Sequence, residues 1–134
     1  MEEIVKVSQL YNSYGEKIVV DNLNLSVKQG MVVGILGANG AGKSTSIECI
    51  LGTKKADSGY VSICGMDPIK NRKKLFEKVG VQFQDSNYQS EIRVNELCEE
   101  TACIYKKTAD WRNLLNEFGI ADKVKNPVKS LSGG

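Results

Sequence analysis

Three neighbouring observations predict an α/β fold for this 134-residue chain. Met31, Val32, Val33, Ile35 and Leu36 form a short apolar run of the kind a buried strand carries. A glycine-rich stretch, GANGAGKST at residues 37–45, follows without a break. Ile47, Ile50 and Leu51 then recur at helical spacing, so the glycine-rich stretch is expected to join a buried strand to a helix.

The residues of 37–45 fit the phosphate-loop pattern, in which Gly37 and Gly42 bracket four residues and Lys43 and Ser44 come next. A polyphosphate concentrates negative charge in a few ångströms and is best wrapped by backbone N–H groups, which side chains would obstruct. Gly37, Gly40 and Gly42 permit that close approach, and the helix opening near Gly42 turns its positive dipole end toward the anion. Lys43 adds a mobile charge for the β and γ phosphates, and the Ser44 hydroxyl suits Mg²⁺.

Composition narrows the remaining classes. A chain of this length supports one domain with a core, and 41% hydrophobic with 25% charged residues is ordinary for a soluble globular protein. A net charge of +2 gives no case for nucleic acid, and the basic run KNRKK at residues 70–74 reads as a solvated helix face. No run of eighteen apolar residues occurs and the start, MEEIVKV, lacks a signal-peptide layout, so a soluble cytoplasmic chain is expected. Cys49, Cys64, Cys98 and Cys103 form no CxxC pair, and there is no histidine to complete a zinc site. They read as buried small hydrophobes.

In chain order, Ile4, Val5, Val7 and Leu10, then residues 18–20, then the alternating Leu23, Leu25 and Val27, predict an antiparallel β unit ahead of the phosphate loop. Tyr11 and Tyr14 are expected in its first loop, where either ring could meet a base. Gly52 should close the phosphate-loop helix, and residues 54–59 read as a turn before a strand over residues 60–64. Pro68 is expected to open a short basic helix across residues 72–76, and residues 79–83 to form a second buried strand delivering Gln84 to a polar loop. Val94, Leu97, Cys98, Thr101, Ala102 and Tyr105 predict one amphipathic helix; Trp111, Leu114, Leu115 and Phe118 predict another, closed by Gly119.

Leu131-Ser132-Gly133-Gly134 downstream of a phosphate loop, with Gln84 between them, is the order found in ATP-binding cassette (ABC) ATPases, and the chain resembles that family from its first residue to its last. Tyr14 with Gly15 resembles the adenine-stacking loop, GANGAGKST the Walker A loop, Asp57-Ser58-Gly59 the turn that follows, Gln84 the Q-loop and LSGG the signature. The absence of NKxD and DxxG disfavours a GTPase. Lys43 and Ser132 stand 89 positions apart, which is similar to transporter subunits; repair and chromosome-organising members insert a long coiled coil there. The GVQFQDS context and the helix after it resemble the branch that exports drugs, antibiotics or ions. A soluble ABC ATPase of translation or DNA repair is the alternative.

The resemblance implies a partial P-loop NTPase core with an N-terminal antiparallel β subdomain over residues 1–84, and a Q-loop, small helical subdomain and signature over residues 85–134. It implies that Tyr14 stacks on adenine, with Tyr11 as second choice, and that Gly37, Asn39, Gly40, Ala41, Gly42, Lys43, Ser44 and Thr45 hold the phosphates. Ser44 and Gln84 would complete the Mg²⁺ shell. Leu131, Ser132, Gly133 and Gly134 would contact ATP across a head-to-tail homodimer, and residues 85–93 would receive a transmembrane permease, leaving the protein peripheral on the inner face of the membrane. The family's Walker B Asp, catalytic Glu and switch His lie beyond the signature. The chain is therefore expected to be an N-terminal piece that binds ATP with little turnover, and to leave apolar surface beside its phosphate-binding strand uncovered.

Overall fold

The computed structural model describes residues 2–83, 88, 89 and 91–131 and divides into two compact units, Met1–Val79 and Gly80–Gly134. In the first unit β1 (Glu3–Tyr14) and β2 (Lys17–Lys28) form a long antiparallel hairpin. β3 (Ser58–Ile63) joins the other side of β1, also antiparallel, giving a sheet of order β2-β1-β3.

Regular alternation would send Val7 and Leu10 to opposite faces, because side chains repeat every second residue along a strand. Both are nevertheless buried in one cluster. The register slips between Val7 and Leu10, and Gln9 takes a left-handed φ of 50° there, so one extra residue resets the pleat. The Gln9 N–H, taken out of the ladder, donates instead to Asn24 Oδ1 at 2.9 Å.

α1 (Lys43–Leu51) contributes Cys49 and Ile50 to this core and is closed by Gly52, as its sequence predicts. α2 (Arg72–Leu75) adds Leu75, which is 0% exposed, and its Arg72 guanidinium donates to the Gly52 carbonyl at 3.1 Å, placing a cation at the C-terminal end of α1. All five residues of the basic run are exposed, as expected of a solvated face. Asp67, rather than Pro68, shapes the entry to α2: its carboxylate accepts from the Ile69 and Lys70 N–H groups, which hold its pKa below the usual carboxylate range.

Two expected strands are absent from the sheet. Residues 31–36 and 79–83 pair with no strand among the described residues, and Val32 and Leu36 are 99% and 95% exposed. An apolar run becomes a buried strand only when neighbours on either side take up its N–H and C=O groups and cover its faces. The three strands that are present pair only with one another. The uncovered apolar surface itself matches the expectation. Tyr11 and Tyr14 are also relocated: both belong to β1 rather than to a loop, because the hairpin continues to a two-residue turn at Gly15 and Glu16. All four cysteines are free; Cys49 is buried and burial raises its thiol pKa, whereas Cys103 is exposed, contrary to its reading as a core residue.

The second unit holds α3 (Val94–Ile104) and α4 (Trp111–Glu117), each within one residue of its predicted span. The leading N–H groups of α3 would lack partners, and the returning chain supplies them: Val94 and Asn95 donate to the Asn126 and Val124 carbonyls. Glu96 accepts from the Arg93 N–H at 2.8 Å, and Asp110 caps α4 by accepting from the Arg112 N–H at 3.0 Å. Among the described residues no helix is long and apolar enough to cross a membrane.

Candidate functional site

The glycine-rich loop leads directly into the first turn of α1, and Gly42 is the residue on which it turns. Gly42 has φ 88° and ψ 11°, the left-handed region, and caps α1 without a side chain. It is also pressed against β2, so that a Cβ built on it would lie 2.3 Å from the Val19 carbonyl oxygen. Only glycine meets both conditions. Gly40 is left-handed too, at φ 82°, but faces open space.

The first hydrogen bond of the helix runs from the Ser46 N–H to the Gly42 carbonyl at 2.9 Å, and the buried Ser46 hydroxyl donates to the same oxygen at 2.8 Å. The N–H groups of Lys43, Ser44 and Thr45 precede that ladder, as at any helix start. No acidic side chain occupies this turn. The Lys43 ammonium curls back to donate to the Gly37 carbonyl, closing the loop on itself, while the Ala41 N–H donates to the Ala38 carbonyl at 3.1 Å. Asn39, Gly40, Ala41 and Ser44 are exposed and Lys43 and Thr45 half-buried. A glycine-rich loop, one cation and two hydroxyl-bearing residues thus stand at the positive end of a helix, a combination suited to an anion with several oxygens.

Tyr14 belongs to the same neighbourhood by the register of the hairpin. It pairs with Lys17, and Val19, the seat of Gly42, lies two residues further along β2, or about 7 Å at the usual strand rise. The Tyr14 ring is half exposed, and Lys54 reaches it from just beyond α1: Lys54 Nζ lies 4.0 Å from the ring centroid and donates to the phenol oxygen, a bond that raises the lysine pKa. Asp57 fastens the segment after Lys54 to β1, accepting from the Ser13 N–H at 2.8 Å and from the Ser13 hydroxyl at 3.0 Å.

Of the candidate residues, Tyr14 and those of 37–45 lie within the first unit. Leu131 belongs to the second unit, half-buried, with its N–H donating to Val128 at 3.0 Å. Gln84, Ser132, Gly133 and Gly134 lie outside the described residues. Among the described residues no His/Cys/Asp/Glu cluster could hold a metal; Ser44 alone of the expected Mg²⁺ ligands is described, exposed at the mouth of the loop. Sequence reasoning missed Lys54 and the Val19 carbonyl. Lys54 stands 40 positions from Tyr14 in a stretch that reads only as a turn, and a backbone oxygen leaves no trace in residue identity.

Comparison with known proteins sets this arrangement in context. The family described as "ABC transporter" matches residues 20–134. The methionine import ATP-binding protein MetN of Rhizobium johnstonii is 35% identical, covering 99% of this chain and 39% of its own length. The bacitracin transport ATP-binding protein BcrA of Bacillus licheniformis is 34% identical over 100% of this chain and 44% of its own. Among solved structures, CbiO1 of Clostridium perfringens, part of the ABC transporter complex CbiONQ, superposes with a TM-score of 0.77 at 29% identity, over 98% of this chain and 57% of that one. The chain thus spans 39% and 44% of the length of these two curated relatives.

Proposed function

The chain belongs to the ABC transporter family, and from that premise we propose that it supplies the phosphate-gripping and base-stacking parts of a MgATP site that powers transport. The observation that carries this reading is Gly42, left-handed and seated on the Val19 carbonyl, which opens α1 onto a loop whose lysine already leans across it. In this reading the backbone of residues 37–45 and Lys43 hold the phosphates, Ser44 and Gln84 hold Mg²⁺, and Tyr14 stacks on adenine. Mg²⁺ when bound would neutralise charge on the phosphate oxygens. Leu131, Ser132, Gly133 and Gly134 would serve the ATP of a second subunit in a head-to-tail pair, and residues 85–93 would meet a transmembrane permease from the cytoplasmic side. Hydrolysis in that assembly would drive export; the GVQFQDS context supports that direction, the import protein among the relatives argues against it, and vesicle transport with the cognate permease decides between them.

Two measurements on the 134-residue chain test the site. Tyr14→Ala is expected to weaken MgATP binding by about fivefold to a hundredfold, the range for loss of one base-stacking ring. Binding of tripolyphosphate, which has no base, should be unchanged. Calorimetry in which both ligands weaken equally would remove Tyr14 from the base side. Turnover is expected to be negligible, because the loop carries no carboxylate and the sequence no histidine to activate water. Robust hydrolysis in a preparation free of contaminating ATPase would refute that expectation.

A further inference from the structure

Lys54 and Tyr14 make two contacts at once. The ammonium sits 4.0 Å from the ring centroid, within cation-π range, and also donates to the hydroxyl at the ring's edge. One contact would leave the ring able to swing about its two side-chain torsions; the second removes that freedom. Lys54 is itself tethered, since its N–H donates to the Glu48 carbonyl at 3.2 Å and the neighbouring Thr53 hydroxyl donates to the same oxygen at 3.2 Å. The ammonium is therefore carried by the C-terminal end of the helix whose N-terminal end forms the phosphate loop. One helix governs both ends of the candidate nucleotide site.

A ring has two faces, and an ammonium bonded to the hydroxyl sits at the ring's edge and leaves them open. We propose that Lys54 is a positioning residue for the nucleotide base: it pins the Tyr14 ring by its hydroxyl edge so that a face is held ready for a purine. This inference rests on the nucleotide-binding reading above. Ordering a side chain before the ligand arrives reduces the entropy lost on binding, so the benefit falls on ligands that carry a base and not on the polyphosphate tail. A general electrostatic role would show the opposite pattern, favouring the more highly charged ligand whatever its base.

The test uses calorimetric titration of the full chain with MgATP and with magnesium tripolyphosphate. Lys54→Ala is expected to raise the Kd for MgATP about twofold to fivefold, the range for an exposed cation-π contact, and to leave that for tripolyphosphate unchanged. Lys54→Arg, whose guanidinium also stacks and donates, should restore MgATP affinity, and Lys55→Ala, which deletes the same charge one residue on, should leave it untouched. An unchanged MgATP Kd in Lys54→Ala overturns the inference, as does tighter binding, which would mean that the ammonium holds the ring away from the base. Equal weakening of both ligands overturns it too. These failures concern Lys54 alone if Lys43→Ala still weakens tripolyphosphate binding; if Lys43→Ala has no effect either, the nucleotide reading itself fails.

Discussion

Replacing Lys43 by alanine is expected to remove most of the affinity for MgATP, with a loss of about ten- to a hundredfold, the value of one or two charge-assisted hydrogen bonds in a solvent-facing site. The reason is local. The lysine is the first residue of α1, so its backbone is fixed by the helix, and its side chain already spans the loop to the Gly37 carbonyl. An incoming phosphate needs only to replace that carbonyl as acceptor; no rearrangement of the chain is required. Because the ammonium contributes nothing to the buried cluster, the variant should keep the thermal stability of the parent. Calorimetry that finds equal affinity in the two proteins would take the phosphate-loop assignment away.

Gly42→Ala should have the largest effect on the fold as well as on binding. Left-handed backbone costs an L-residue roughly 1 to 2 kcal/mol. The added methyl would also fall 2.3 Å from the Val19 carbonyl oxygen, a backbone atom that cannot turn aside. Either the start of α1 lifts off β2 or the hairpin distorts, and the total is expected to reach about 3 kcal/mol or more, a large part of the roughly 5 to 15 kcal/mol that holds a domain together. Gly40→Ala is the matched control: the same left-handed backbone, with open space around the new methyl, should cost only the conformational part. Urea denaturation checks both. If Gly42→Ala unfolds at the same midpoint as Gly40→Ala, the Val19 seat contributes nothing and the geometry of the loop is misjudged.

Much of the candidate site was legible in residue identity because the chemistry it performs demands particular residue types. A backbone cradle needs glycines where side chains would collide, and Gly37, Gly40, Gly42, Lys43 and Ser44 announce one at fixed spacing. The helices were legible too, since α1, α3 and α4 are marked by apolar recurrence at three and four positions and by the residues at their ends. The hairpin was read correctly as antiparallel, but its length was not. Nothing in the residue pattern says that Gln9 adopts positive φ and resets the pleat, which is what lets β1 run unbroken to Tyr14.

What local pattern determined by itself, then, is the class of chemistry and the position of the loop, because both depend on residues adjacent in the chain. The fate of residues 31–36 and 79–83 was decided elsewhere: their composition suits a buried strand, yet a strand exists only by its partners, and the described residues provide none. The tertiary structure alone also set Gly42 on the Val19 carbonyl and Lys54 against the Tyr14 hydroxyl, bringing together groups 23 and 40 positions apart. Such contacts follow from how α1 crosses the hairpin, a long-range packing outcome that no short window of residues encodes.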